Sequence, residues 1–361
     1  MTKRIIICCD GTWQDLEQAY PTNVAKMVQA IAPRCSEGSD QIVYYNEGLG
    51  TDQIRREGSL IDGMIKWLGG GLGTGIDYKI QKAYTFLCLN YQPGDEIYLA
   101  GFSRGAYTIR CLAGLIYNAG LPHRQFIRMI PEAYALYRNA SEAAKPSGSE
   151  AMRFRGNYGD RPPIKALCCW DTVASLGIPN LFKKLGLSEK LNKRYQFHDC
   201  RINPLIEHAF HAVAIDEDRK VFDYTPMQAS RPGQLSQVWF AGGHGSVGGG
   251  DESDRDLADR PLEWILDGVA ELGLAIDTSK VEYGTAEDGS LTYGIQSTYN
   301  GIFKPGRSAL GHQQRIMPPE TSFNDLDISV KQRWQDKRCN YRPAILEHRF
   351  GSELDRWSPP V

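Results

Sequence analysis

The chain alternates between short continuous apolar runs and longer segments whose apolar residues recur at helical spacing. Such runs are typical of strands buried on both faces of a sheet, and the segments between them predict crossover helices. Strands are predicted at 5–9, 41–45, 96–100, 164–169 and 237–240, and helices at 23–31, 76–89, 105–119, 257–272 and 328–335. Residues 208–216 fit either a helix or a strand. This order predicts an α/β fold with a mostly parallel sheet flanked by helices.

One predicted strand leads directly into a Gly-x-Ser-x-Gly motif and then into a helix. The stretch LAGFSRGAY, residues 99–107, puts Ser103 at this joint, with Gly101 and Gly105 two positions away on either side. A tight strand-to-helix turn leaves no room for larger side chains at those two positions. The turn would push the Ser103 hydroxyl out at the end of the sheet, which favours a role as a nucleophile.

A serine nucleophile needs a base and an acid, and in hydrolases with this turn the chain order is serine, acid, histidine. His244 follows the strand 237–240 and lies among glycines, while Asp171 directly follows another apolar run. Asp216 also ends an apolar run and is the alternative acid; we favour Asp171. The chosen side chains all follow predicted strands, at the end where open α/β sheets place their sites.

A reaction through a tetrahedral intermediate also requires two backbone N–H groups that stabilise an oxyanion. One is expected from Arg104, the residue after the nucleophile. The other is expected from the loop after the first strand, at Gly11 or Thr12, because glycine allows the backbone to turn inward. For Asp10, in the same loop, we favour a bracing role in which its carboxylate accepts N–H bonds, rather than a role in catalysis.

Composition and charge exclude several classes of protein. The chain has 361 residues, of which 42% are hydrophobic, so it can bury a large core. Its formal net charge of -2 gives no indication of nucleic-acid binding. Nine cysteines, an odd number and without a CxxC pair, indicate reduced core residues. We find no secretory signal and no apolar run of about 18 residues, so we predict a protein that is cytoplasmic as synthesised.

Three further stretches carry weaker signals. Residues 180–197 mix lysines with leucines, a pattern that fits peripheral membrane contact or a solvated surface helix; we favour the helix. GGGLGTG, residues 69–75, lacks the ending of a phosphate-binding P-loop, so we interpret it as a flexible connection or pocket rim. The acidic residues 251–256 lack the spacing of a calcium loop. We therefore predict neither a metal nor an organic cofactor.

Several motifs together resemble a family of α/β-hydrolase domains related to the catalytic domain of class-one phospholipase (lipase) effectors of type VI secretion. The resemblance rests on CCDGTWQD, YNEGLGT, PGDEIYLAGFSRGAYTIRCLAGLI, CCWDTVASLG, HAVAIDEDRKVF, VWFAGGHGSVGGG and YRPAILE. It implies a serine esterase, and in the effector branch a phospholipase, with Ser103 as nucleophile, Asp171 as acid and His244 as base. The family usually has an aspartate two residues after the motif histidine, where this chain has Ser246.

We therefore expect a single α/β-hydrolase domain over residues 1–361, with cap or lid insertions near 121–160, 178–207 and 285–325. The expected reaction is hydrolysis of a carboxylic ester through an acyl-enzyme on Ser103, with a phospholipid or related lipid as substrate. Two alternatives remain open: an esterase for small soluble esters, and a non-catalytic binding module that retains the fold. Export would require a secretion system that uses no signal peptide, and the sequence identifies no protein partner.

Overall fold

The computed structural model describes residues 2–12, 14, 16–48, 72–173, 201–250, 252, 255–284 and 312–359. The basic and apolar stretch 180–197 lies outside the described residues, together with most of the expected insertion at 178–207. Residues 285–311 of the third expected insertion and Asp251 of the acidic cluster also lie outside them.

The described residues contain eight strands and nine α-helices. The strands are β1 (Arg4–Cys9), β2 (Gln41–Asn46), β3 (Glu96–Phe102), β4 (Leu121–Pro122), β5 (Gly159–Asp160), β6 (Ile164–Trp170), β7 (Ile206–Ala214) and β8 (Leu235–Phe240). The helices are α1 (Asn23–Ala30), α2 (Leu72–Asn90), α3 (Arg104–Ala119), α4 (Ile130–Arg138), α5 (Ser149–Tyr158), α6 (His244–Gly248), α7 (Arg255–Glu271), α8 (Ile328–Gln335) and α9 (Ala344–Arg356). Among these described helices, none combines the length and the apolar character needed to cross a bilayer.

Six of the strands form one sheet in the order β2-β1-β3-β6-β7-β8, and every neighbouring pair in it is parallel. The predicted parallel sheet is therefore confirmed. The ambiguous stretch 208–216 lies largely within β7. Because all six strands point the same way, the residues that follow β1, β3, β6, β7 and β8 meet along one edge, which we call the carboxyl edge.

Side chains of the central strands alternate between two separate cores, one on each face of the sheet. In β1, Ile5 and Ile7 belong to the core shared with α2 and α3, whereas Ile6 belongs to the core shared with α1 and α7. Successive strand residues point to opposite faces, so neighbouring cysteines in one strand also enter different cores. The eight described cysteines are free and buried, as the sequence predicted.

A third apolar cluster covers the carboxyl ends of β7 and β8. It contains Val213 and Trp239 from these strands and buried residues of α8 and α9. The prediction located α8 but treated the rest of the C-terminal region as loop, and α9 is a helix it missed. The two helices pack against the sheet region from which the loops of the site emerge.

The insertion at 121–160 packs differently from the cap we expected. The first residues of the insertion form β4, which pairs with β5 at the end of the insertion, immediately before β6 begins. Both ends of the insertion therefore lie at the amino edge of the sheet, opposite the edge that carries Ser103. In between, α4 and α5 pack on α3 and add Ile130, Ala133 and Phe154 to the first core.

Candidate active site

Ser103 occupies a strained turn between β3 and α3. Its backbone has φ 56° and ψ -121°, a region that residues other than glycine rarely adopt. The Ser103 N–H donates to the carbonyl of Trp170 at 3.0 Å, and the Ser103 carbonyl accepts from Val173 N–H at 3.3 Å. These bonds hold the turn against the end of β6 and so fix the direction of the Cα–Cβ bond of Ser103.

The two motif glycines are required by close backbone contacts. A Cβ atom on Gly105 would lie 2.0 Å from the carbonyl oxygen of Cys9, and one on Gly101 would lie 2.7 Å from the carbonyl carbon of Gly105. Real Cβ atoms do not approach other atoms so closely. The glycines therefore let α3 start directly against β1, as the sequence predicted for a tight turn.

His244, Ser103 and Asp171 form a continuous chain of hydrogen bonds at the carboxyl edge. His244 is the first residue of α6, just after β8, and its Nε2 lies 2.8 Å from Ser103 Oγ. Its Nδ1 lies 2.5 Å from Asp171 Oδ2. A carboxylate accepts hydrogen bonds, so Nδ1 carries the proton and Nε2 is left to accept from the serine hydroxyl.

The Asp171 carboxylate is fully buried and accepts hydrogen bonds on both oxygens. Ala214 N–H donates to Oδ1 at 3.0 Å, and the Arg315 guanidinium binds both oxygens, with Nη2 2.7 Å from Oδ2. Burial alone would raise the pKa of this carboxyl group. The Arg315 charge and hydrogen bonds, followed by those of His244, outweigh burial and bring the pKa of Asp171 far below its usual range.

Burial favours the neutral form of the His244 imidazole. Burial lowers the pKa of His244 below its ordinary value of 6.5, although Asp171 and Glu217 oppose this shift. Glu217 Oε2 also accepts a hydrogen bond from the backbone N–H of His244 at 3.0 Å, and Arg219 neutralises Glu217 with contacts of 2.6 Å. A neutral imidazole with a free lone pair on Nε2 can remove a proton from Ser103.

The loop after β1 contains Gly11 and Thr12, the two residues predicted as alternative oxyanion donors. Gly11 N–H donates to Asp10 Oδ1 at 2.7 Å, so this amide is engaged and the expectation for Gly11 as an oxyanion donor is not supported. The other Asp10 oxygen accepts from the hydroxyls of Thr22 and Tyr45, at 2.6 and 2.7 Å. Asp10 thus braces the loop. The Arg104 side chain donates to Thr12 Oγ1 and ties that loop to the start of α3.

Asp216, the alternative acid, does not contact His244 in the described hydrogen bonds. Its Oδ2 accepts from Gly242 N–H at 2.6 Å and from the Tyr341 hydroxyl at 2.8 Å. Burial raises the pKa of Asp216 to about 6. Ser246, at the position where the family usually has aspartate, accepts a hydrogen bond from Gly243 N–H at 3.1 Å and caps α6.

Two charged residues of this site were missed by the sequence reasoning. Glu217 lies in HAVAIDEDRKVF, where an acidic residue between two other charged positions gave no signal of its own. Arg315 comes from an irregular segment after the last sheet strand and has no local pattern around it. In the described part of the chain there is no cluster of three or more His, Cys, Asp or Glu side chains that could hold a metal ion.

The parallel sheet, the strained serine turn and the serine–histidine–aspartate arrangement are typical of the α/β-hydrolase class. Residues 3–268 match the family model described as the catalytic domain of Tle1-like phospholipase effectors of the type VI secretion system. The chain belongs to this family. The family is named after phospholipase effectors, which are enzymes that hydrolyse lipids.

Three known proteins are similar to this chain. An uncharacterized protein of Saccharomyces cerevisiae is 30% identical over 241 residues, which are 62% of this chain and 33% of that protein. An uncharacterized protein from Pseudomonas aeruginosa, known from a crystal structure, has 15% sequence identity to this chain and a TM-score of 0.41. The match covers 76% of this chain and 46% of that protein. The Tle1 effector, in its structure bound to the VgrG spike, has 20% sequence identity to this chain and a TM-score of 0.40. The match covers 69% of this chain and 51% of the effector. The chain thus spans about a third to a half of the length of these proteins.

Proposed function

We propose that this chain is a serine hydrolase that cleaves acyl esters of phospholipids through an acyl-enzyme on Ser103. The observation that carries the proposal is the hydrogen-bond chain from Ser103 Oγ through His244 to Asp171, at 2.8 and 2.5 Å. Membership of a phospholipase effector family supports a lipid as the substrate. The same membership supports export of the chain by a type VI secretion system.

In the proposed reaction, His244 Nε2 removes the hydroxyl proton as Ser103 Oγ attacks the ester carbonyl. The tetrahedral intermediate collapses, and His244 gives this proton to the departing alcohol, a lysophospholipid. Water then attacks the acyl-serine, again with His244 as base, and releases a fatty acid. Asp171 orients the imidazole and stabilises the positive charge that develops on it.

The intermediate's oxyanion would be bound by the backbone N–H groups of Arg104 and Thr12. Arg104 is the first residue of α3, a helix of 16 residues whose N-terminus carries partial positive charge. Its side chain holds Thr12 close, since its Nε donates to Thr12 Oγ1. Loss of one such donor costs about 10²–10³ in turnover in comparable sites.

A fluorophosphonate probe, with the Ser103→Ala variant as control, tests the nucleophile. We expect covalent labelling of the native chain and none of the variant. In parallel, the native chain is incubated with phosphatidylglycerol vesicles and with p-nitrophenyl butyrate, and the products are identified by mass spectrometry. Free fatty acid with lysophospholipid supports the proposal. Cleavage of the soluble ester alone favours the small-ester esterase, and absence of labelling favours the non-catalytic module.

A further inference from the structure

Arg315 is placed so that every terminal N–H of its guanidinium has an acceptor. Nη1 donates to Asp171 Oδ1 and to the carbonyl of Ala214 at 3.0 Å. Nη2 donates to Asp171 Oδ2 and to the carbonyl of Phe222, both at 2.7 Å. The side chains of Arg315 and Asp171 are 1% and 0% exposed. This is a planar, two-pronged recognition of a carboxylate, which lysine cannot reproduce.

The guanidinium leaves Asp171 only one way to bind His244. Oδ1 is occupied by Ala214 N–H and Arg315, and Oδ2 is shared between Arg315 and His244 Nδ1. A rotation of the carboxylate would break both bonds to Arg315. The direction of the Asp171–His244 hydrogen bond is therefore set by a residue that itself has no described contact with Ser103 or His244.

Arg315 enters the site from a segment that follows the part of the chain matched by the family model, which ends at residue 268. This segment is anchored on both sides of Arg315. Gln313 N–H donates to the Asp218 carbonyl at 2.8 Å. Arg349 of α9 binds the carbonyls of Met317, Pro319 and Thr321 at 2.9, 2.6 and 2.6 Å.

We propose that Arg315 is a positioning residue of the active site, which fixes the Asp171 carboxylate in the orientation and charge state that His244 needs. The inference rests on the proposed serine-hydrolase function. It assigns to the C-terminal segment a part in positioning the Asp171 carboxylate, beyond packing on the sheet.

The charge of Arg315 gives this role a signature that packing alone lacks. With Arg315 present, its positive charge offsets much of the negative charge of Asp171, which otherwise favours proton uptake by His244. Without the guanidinium, the site has one more negative charge, and the Asp171–His244 pair takes up a proton at higher pH. The other titratable or charged groups that interact with the pair are Glu217, Arg219, His211, Asp223 and Tyr224, and Arg110 acts on His211. All of them are retained in the variants below.

The test measures the rate of fluorophosphonate labelling of Ser103 between pH 5 and 9 in the native chain and three variants. In Arg315→Met, we expect Ser103 to be labelled about 10²-fold more slowly. We also expect the decline of the labelling rate at low pH, which we call the acid limb, to occur at a higher pH. In Arg315→Lys, the charge remains but the fork is lost, so labelling slows while the acid limb stays near its native position. Arg349→Met is the matched control, because it loosens the same segment without contacting Asp171.

Each outcome decides between a positioning role and simple packing. An acid limb displaced to higher pH in Arg315→Met, with a native acid limb in Arg349→Met, supports the proposal. Native rates and acid limbs in both Arg315 variants overturn it, as does an equal displacement of the acid limb in Arg349→Met and Arg315→Met. If Arg315→Met does not fold, Arg315→Lys decides: slower labelling at an unchanged melting temperature supports the role, and native labelling overturns it. Failure of the proposed function is distinct, since the native chain would then not be labelled.

Discussion

Ser103 and Asp171 both have a positive φ, of 56° and 43°, at the ends of two neighbouring strands. The two turns are joined, because Ser103 N–H donates to the carbonyl of Trp170, the residue before Asp171. Such conformations cost about 1–3 kcal/mol each and persist only where the surrounding structure enforces them. The proposed nucleophile and acid are thus positioned as one unit by the pairing of β3 with β6.

Exchange of the two candidate acids for asparagine should separate their roles. Asp171→Asn should lower turnover by about 10⁴-fold, because the amide no longer holds His244 in the required tautomer. Asp216→Asn should have a small effect, since Asp216 bonds Gly242 and Tyr341 instead. The rates of fluorophosphonate labelling and of p-nitrophenyl butyrate hydrolysis measure both. Equal losses in the two variants, or a reversed order, would show that Asp171 is not the acid.

Activity should fall at low pH, and the midpoint of this acid limb should lie below pH 6.5. Only neutral His244 can accept the Ser103 proton, and burial lowers the pKa of His244 from its ordinary 6.5. The neutral form therefore dominates at pH 7 and is lost as the pH falls through the lowered pKa. The labelling rate from pH 4.5 to 8 measures the limb. Samples returned to pH 8 and assayed again control for acid unfolding, and a midpoint above 6.5 contradicts the prediction.

The sequence predicted the elements that are local in origin. The apolar runs of β1, β3 and β6 and the Ser103 turn depend on neighbouring residues, and they lie where expected. The stretch within β7 was ambiguous, because a short apolar run fits either a strand or a buried helix. Asp171 and His244 could be selected because both follow strands of a parallel sheet.

Arg315 could not be predicted in this way, and α9 was missed although part of its pattern is local. The position of Arg315 against Asp171 depends on contacts between distant parts of the chain, and no local pattern encodes such contacts. The helix α9, Ala344–Arg356, contains Gly351 and many charged residues, which weaken its apolar pattern. Its three buried residues, Leu346, Phe350 and Leu354, do recur at a spacing of four, and this signal was available.

Substitution of Gly105 by alanine should disrupt the serine turn. The new methyl group would lie 2.0 Å from the carbonyl oxygen of Cys9, so β1 and α3 would have to separate. We expect a lower melting temperature and loss of Ser103 labelling. Gly156→Ala is the control: Gly156 lies in α5 with nothing within 4 Å of an added Cβ. That variant should be about 0.5–1 kcal/mol more stable, because alanine favours a helix over glycine. Native labelling in Gly105→Ala would contradict the role of the turn.

The ion pair between Lys26 and Asp259 should contribute strongly to stability. It joins α1 to α7 with an Nζ–Oδ1 distance of 2.9 Å, and the side chains are 4% and 2% exposed. Lys26→Met leaves a buried carboxylate without this cation and should reduce the free energy of unfolding by about 3–5 kcal/mol. Lys145→Met removes the exposed pair with Glu142 and should cost less than about 1 kcal/mol. Urea unfolding followed by circular dichroism measures both, and similar losses would refute the prediction.

The position of Arg315 in the chain has a consequence for the order in which the protein is made. A ribosome synthesises Ser103, Asp171 and His244 before it reaches Arg315. A nascent chain that has emerged as far as α7 therefore contains all three proposed catalytic side chains, yet its Asp171 lacks the cation that occupies both carboxylate oxygens. We expect a stalled chain of that length to be inert toward the probe and to become reactive once the segment around Arg315 has been translated and docked. Hydrolysis would then begin only after the segment around Arg315 has left the ribosome and docked against Asp171.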